Sequence, residues 1–231
     1  MSTGELRSFR RPRLTNTACC SCLTLKLNVM RHYLMPRRTG RACWHGNHMS
    51  RCLLIAELAT NHGGDLALAT EMITTAANAG ADIVKTQGYQ IAHLKRSDPQ
   101  YDWMRQCELV EADHVMLKAH AERCGVEYLS TAYRVGDLSL LKRAGLTAVK
   151  IGSGEGLRFM QPAIDAGFTR IYVSLPWGRP AQPFLGVNRG DGEAAAVTVF
   201  STVPLYPMPP ECFSHCVKHE AWSDHAIGID V

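Results

Sequence analysis

At 231 residues, with 46% apolar and 20% charged side chains, the chain is long enough for one domain with a full core, and its composition is that of a soluble, globular protein. No apolar run approaches the roughly 20 residues of a membrane helix, so no membrane span is expected. The net charge of +4 is uneven: residues 1–52 carry ten Lys or Arg against the single acid Glu5, and the remaining body carries −5, which gives no reason to expect nucleic acid as a partner.

Residues 1–48 differ from everything that follows. They hold Arg-Arg-Pro-Arg at 10–13, a cysteine cluster, Pro36-Arg37-Arg38 and no sustained period of 3.6 or 2. An Arg-rich, acid-poor stretch of this kind fits a targeting peptide, a disordered arm or translated upstream sequence; we expect the last, with Met49 as the natural start. Of the nine cysteines, five lie at or before Cys52, and the odd count without a secretory signal points to reduced thiols in the cytoplasm. Cys43, His45, His48 and Cys52 could in principle hold zinc, but their spacing matches no established ligand pattern.

From residue 53 a single unit repeats. Leu53 to Ala56 is a continuous apolar run, as in a strand covered on both faces, and it leads into Glu57 and the polar cluster Thr60, Asn61 and His62. A helix from Asp65 to Ala79, with its apolar face at Leu66, Ala69, Met72, Ile73, Ala76 and Ala77, is closed by Gly80. The strand Asp82 to Thr86 follows, ending at Lys85, Thr86 and Gln87. The same alternation gives helices at Glu111–Cys124, Leu138–Ala144 and Leu157–Ala166, closed by Gly125, Gly145 and Gly167. Strands are expected at Val126–Leu129, Thr147–Ile151 and Arg170–Val173. Pro176 to Gly192 is a poor place for a helix. A strand returns at Ala195–Phe200, then the rigid Tyr206-Pro207-Met208-Pro209-Pro210, and a last short strand at Glu220–Trp222 makes seven.

Strands separated by helical segments pair in parallel through right-handed crossovers, so the fold is α/β. The first strand lacks a Gly-x-Gly-x-x-Gly turn, and polar residues end every strand rather than one switch point. Both favour a (β/α)8 TIM-type barrel over an open doubly wound sheet, here incomplete with seven strands.

In a barrel the strand ends converge on one mouth. They carry Glu57, Asn61, His62, Lys85, Gln87, Thr131, Lys150, Ser153, Glu155, Ser174, Asp224 and His225. A lysine directly behind an apolar strand must find an anion or lose its proton. Lys85 and Lys150, flanked by the hydroxyls of Thr131 and Ser153, are suited to a phosphate dianion. A Schiff-base lysine, or internal ion pairs to Glu57 and Glu155, remain open on this argument. His225, beside Asp224, is a metal-ligand candidate.

Five segments resemble the N-acetylneuraminate (sialic acid) synthase family: Ile-Ala-Glu-Leu-Ala-Thr-Asn-His-Gly-Gly-Asp at 55–65, Ala-Gly-Ala-Asp-Ile-Val-Lys-Thr-Gln at 79–87, Tyr-Leu-Ser-Thr at 128–131, Val-Lys-Ile-Gly-Ser-Gly-Glu at 149–155 and Trp-Ser-Asp-His at 222–225. The resemblance runs in order from about residue 53 to the end and implies a transferase of carbohydrate biosynthesis. Such a barrel would condense phosphoenolpyruvate with an N-acetylated amino sugar such as N-acetylmannosamine, giving a nine-carbon sialic acid and phosphate. It implies that Lys85, Thr131, Lys150, Ser153 and Ser223 hold phosphoenolpyruvate, and that Glu57, Gln87 and Glu155 lie at the reacting carbons. Asn61, Ser174, Tyr206 and Asp224 would contact substrate. His225 would bind Mn2+ or Mg2+ to polarise the aldehyde, and a homodimer is implied.

The chain departs from the family pattern in places. Leu205 stands where a polar substrate-binding residue usually precedes the tyrosine, and Ser174-Leu175-Pro176 replaces Ser-Thr-Gly. The connections around 176–194 and 208–219 are short. An eighth strand carrying a second metal histidine, and a C-terminal antifreeze-like domain, are expected to be missing. A non-catalytic barrel binding a phosphorylated or acidic sugar, and another phosphoenolpyruvate-dependent keto-sugar acid synthase, are the alternatives.

Overall fold

The computed structural model describes residues 42–45, 48–154, 156–176, 195–209, 211–212 and 221–225, with the backbone alone for 42–51 and 156–157. The basic extension up to residue 41, Glu155, and the connection expected from Pro176 to Gly192 apart from Pro176 itself lie outside the described residues. Two short strands, β1 (Ala42–His45) and β2 (His48–Arg51), pair antiparallel with His45 opposite His48. This hairpin straddles residue 48 and was not read from the sequence.

The body is a seven-stranded, all-parallel sheet whose order follows the chain: β3 (Ile55–Ala59), β4 (Ile83–Gly88), β5 (Glu127–Ala132), β6 (Ala148–Ile151), β7 (Arg170–Pro176), β8 (Ala196–Thr202) and β9 (Ala221–Ser223). Sequential order with parallel neighbours is the order of a (β/α)8 barrel, and the sheet curls as a partial barrel does. The crossovers are α1 (Leu66–Asn78), the short α2 (Tyr101–Gln106), α3 (Glu111–Arg123), α4 (Val135–Arg143) and α5 (Gly156–Asp165).

Local chemistry fixes the helix ends where periodicity placed them, except that α4 begins at Val135, three residues before the expected Leu138. The Asp65 carboxylate caps α1 by accepting from the backbone N–H groups of Ala67 and Leu68. Gly80, Gly125, Gly145 and Gly167 all take positive φ just past a helix and turn the chain back toward the sheet. The strands, by contrast, run further than expected: β5 includes Ser130, Thr131 and Ala132, and β7 continues through Ser174 to Pro176. Apolar periodicity ends where the polar site begins, whereas the ladder hydrogen bonds do not.

Alternation along the strands separates two apolar layers. On the helix side, Ile73, Leu117, Leu141, Val149, Ile171 and Val173 are fully buried between sheet and helices. Each such side chain contributes roughly 1.5–3 kcal/mol of burial. On the other side, Ile83, Leu129, Ala148, Tyr172 and Phe200 pack together, with Ile55 and Ala221 against them, and this second cluster is the floor of the site.

Candidate active site

Moving two residues along each strand from that floor reaches the next layer on the same face. The seven residues reached are Glu57, Lys85, Thr131, Lys150, Ser174, Thr202 and Ser223, none of them apolar. One layer of the sheet is therefore apolar and the layer above it, toward the carboxyl ends of the strands, is polar or charged all round.

Glu57 and Lys85 are register partners in the β3–β4 ladder, and their side chains form an ion pair. A bulge follows Glu57, and Ala59 takes a φ of +50°, rare for a residue with a Cβ, so that its N–H donates to Glu57 Oε1 at 3.0 Å. The strained turn thus holds the carboxylate in place. Lys85 Nζ also donates to Thr131 Oγ1 at 3.2 Å. Thr131 is the register partner of both Gln87 and Lys150, and Gln87 is half-buried beside it.

Lys150 is only 6% exposed. Its ammonium donates to Ser174 Oγ and to the Ile151 carbonyl at 3.1 Å, and lies 5.2 Å from the centre of the Phe200 ring. Burial, with a smaller push from Lys85 and against the opposing pull of Glu57, lowers its pKa to about 7. The two lysines therefore differ: Lys85 is paired to a carboxylate, whereas Lys150 is bonded to neutral oxygens.

Ser174 is the hydroxyl beside Lys150; Ser153, expected there, is half-buried just past β6. Asn61 is half-buried in the turn after β3, where its N–H donates to the Leu58 carbonyl, and Asp224 is exposed after β9. Ser223 gives its backbone carbonyl to Thr202 Oγ1 at 3.3 Å. Thr202 was missed as a site residue, although its place two residues after Phe200 was the available signal. Tyr133, directly after β5, was missed as well. Although the residue keeps 40% of its surface exposed, the phenol lies deep enough, and near enough to Glu57, Tyr206, Tyr89 and Asp137, for its pKa to be raised.

At the far side, His225 stacks on Tyr206 with ring centres 3.9 Å apart. Its Nδ1 donates to the Val203 carbonyl at 2.6 Å, so the lone pair lies on Nε2, where the Tyr206 hydroxyl donates at 2.7 Å. That tautomer suits a metal ligand. Yet among the described residues no group of three or more His, Cys, Asp or Glu stands together that could hold an ion. The described donor set therefore does not by itself fit a divalent cation. The side chains of Cys43, His45 and His48, raised above as zinc ligands, lie outside the description.

Taken together, these features define a parallel α/β barrel segment with a polar, lysine-bearing mouth at the carboxyl ends of its strands. Residues 72–161 match the NeuB family and carry a NeuB family domain. Similar curated proteins include the N,N'-diacetyllegionaminic acid synthases of Legionella pneumophila (35% identical over 45% of this chain and 33% of the relative) and Campylobacter jejuni (35% identical over 46% and 36%). The spore coat polysaccharide biosynthesis protein SpsE of Bacillus subtilis is 31% identical over 68% of this chain and 46% of its own length. The matched stretch thus spans about a third of the length of the first two relatives. In structure, the chain resembles the N-acetylneuraminic acid synthetase of Leptospira borgpetersenii, with a TM-score of 0.66 over 83% of this chain and 72% of that one, at 24% identity. That likeness establishes the barrel-type fold.

Proposed function

We propose that this domain condenses phosphoenolpyruvate with an N-acetylated amino sugar of the N-acetylmannosamine type, giving a nine-carbon sialic acid-type sugar and phosphate. The observation that carries this reading is the polar layer, in which two lysines, several hydroxyls and one carboxylate stand at the carboxyl ends of adjacent parallel strands. Lys85 and Lys150 would take the phosphate and carboxylate oxygens, with Thr131, Ser174, Ser153 and Ser223 supplying hydroxyls. An arriving dianion competes for Lys85, which frees Glu57 to hold a proton beside the reacting carbons; Gln87 and Glu155 would act with it.

In the reaction, carbon 3 of the enol bonds to the aldehyde carbon, water adds at carbon 2, and the bond from carbon 2 to the phosphate oxygen breaks. Carbon 2 becomes a ketone: one proton of the water ends on the hydroxyl formed from the aldehyde, and the other leaves with the phosphate. Asn61, Tyr206 and Asp224 would contact the sugar. The relatives named for legionaminic, pseudaminic and neuraminic acids point to acetamido sugars as acceptors. A homodimer and a cytoplasmic location accompany this reading; among the described residues no helix is long and apolar enough to cross a membrane.

A second reading, a non-catalytic barrel that binds a phosphorylated or acidic sugar, is favoured by exposed Leu205, which stands in place of a polar residue. The deciding experiment incubates the protein with phosphoenolpyruvate, Mn2+ and a panel of aldehyde sugars and measures inorganic phosphate. Phosphate release that depends on an N-acetylated amino sugar supports the synthase. Release with unsubstituted sugars alone supports a keto-sugar acid synthase, and tight phosphoenolpyruvate binding without release supports the binding protein.

A further inference from the structure

On the helix side of the sheet, behind the polar layer, lies a second polar group made of His62, His114, Tyr128, Thr86 and Ser130, in which both histidines are essentially inaccessible to solvent at 1% and 0% exposure. In each, Nε2 is buried with no hydrogen-bond partner. A buried polar atom left unpaired costs about 1–3 kcal/mol, so two such atoms call for an explanation.

The surrounding bonds fix which atom carries each proton. The Gly64 N–H donates to His62 Nδ1 at 3.1 Å, so in the neutral ring the proton sits on Nε2. At the other ring, Thr86 donates to Ser130 Oγ at 3.3 Å, which leaves Thr86 Oγ1 to accept from the Tyr128 hydroxyl at 2.7 Å. The Tyr128 oxygen then accepts from His114 Nδ1–H at 2.9 Å, and the lone pair of His114 is on Nε2. The orphan atoms are thus complementary, a donor on His62 and an acceptor on His114.

Both rings are neutral. Burial lowers the pKa of His62, against the opposing effect of Asp113, and burial followed by the neighbouring His62 lowers that of His114 to about 4. No direct hydrogen bond joins the rings, yet His62 is near enough to help lower the pKa of His114.

We infer that a single buried water joins His62 Nε2–H to His114 Nε2, completing a directional chain from the Thr60–Gly64 turn through α3 to the strands β4 and β5. Such a water accepts one bond and donates another, as internal waters do. The two histidines are then positioning residues for the turn that follows Glu57 and carries Asn61. Other anchors act on the same turn: Trp103 Nε1 donates to Thr60 Oγ1 at 3.3 Å, and Gln106 Nε2 to the Gly63 carbonyl at 2.7 Å. The histidine chain is the one that reaches the sheet.

The test is independent of any catalytic reading. Long-range proton–nitrogen spectra of the full chain labelled on histidine are expected to show His62 protonated on Nε2 and His114 on Nδ1 at pH 7, with the His62 Nε2 proton giving a cross-peak to a slowly exchanging water. A His114 protonated on Nε2, which would set two donors against each other, or the absence of the water cross-peak overturns the inference. In His114→Phe, hydrogen exchange at the Gly64 amide should rise at least about tenfold while that of Val149 in β6 is unchanged. Equal exchange at Gly64 in the two proteins also overturns it, and the spectra of the unsubstituted protein decide the question if the variant does not fold.

Discussion

Lys85 is committed to Glu57: the two are register partners on adjacent strands and form an ion pair whose side chains are only 12% and 30% exposed. An anion entering the mouth must therefore displace the carboxylate before it gains the lysine. Removing the charge in Glu57→Gln should tighten the binding of inorganic phosphate or phosphoenolpyruvate, by about fivefold if the pair is worth about 1 kcal/mol. Lys85→Ala and Lys150→Ala should each weaken it. Calorimetric titration measures all three. Unchanged affinity in both lysine variants would remove the phosphate clamp, and weaker binding in Glu57→Gln would mean that the carboxylate orients Lys85 rather than competing for it.

Lys150 makes anion binding depend on pH. Its pKa of about 7 in the folded protein lies below the ordinary lysine value of 10.5, so the folded state releases a proton that the unfolded chain still holds between these limits. Stability should consequently rise with pH from about 7 toward 10.5, with a slope of up to about 1.4 kcal/mol per unit, and Lys150→Met should flatten that rise. An anion favours the charged form, so its binding above pH 7 should draw in a proton. The heat of binding at pH 8 should then vary with the ionisation enthalpy of the buffer, and a heat independent of buffer would show that Lys150 is charged before the anion arrives.

Much of this was legible in the sequence because two periods govern it. The 3.6-residue pattern in Leu66–Ala77 and the glycines at 80, 125, 145 and 167 located the helices and their ends, and the apolar runs before Glu57, Lys85 and Lys150 located strands. What the sequence hid was the continuation of β5 and β7 past their apolar residues, since Ser130, Thr131 and Ser174 look like loop residues until their ladders are drawn. The choice of Ser174 over Ser153 as the hydroxyl beside Lys150 followed from the same cause: Ser174 is two residues beyond Tyr172 on the inner face, whereas Ser153 has left the strand. The pairing of His62 with His114 was invisible for another reason. It joins a turn to a helix fifty-two residues away on the far side of the sheet, and no local spacing encodes that.

His225 Nε2 is capped by the Tyr206 hydroxyl, and Tyr206 is 75% exposed, so the cap is held by one bond and a stacked ring rather than by packing. Tyr206→Phe keeps the stacking and removes the bond. Carbethoxylation of His225 by diethyl pyrocarbonate, which attacks an unprotonated ring nitrogen, should be several-fold faster in that variant. An unchanged rate at His225, read by peptide mass, would mean that something other than the hydroxyl shields the nitrogen.

Gly64 and Gly125 both take positive φ, at +85° and +74°, but in different surroundings. A Cβ at Gly125 meets nothing within 4 Å, so Gly125→Ala should cost only the left-handed backbone conformation, about 1–2 kcal/mol. A Cβ at Gly64 would fall 2.2 Å from the backbone carbonyl oxygen of Gln106, which no side-chain rotation can relieve. Gly64→Ala must therefore push the turn after β3 away from α2, and with it the bond from Gln106 to the Gly63 carbonyl. The expected loss is about 3–4 kcal/mol, the sum of backbone strain and a rigid clash. Chemical denaturation of the two variants side by side measures the difference. Equal losses would show that the turn can leave α2 freely, and the positioning of Asn61 by its neighbours would then have to rest on His62 alone.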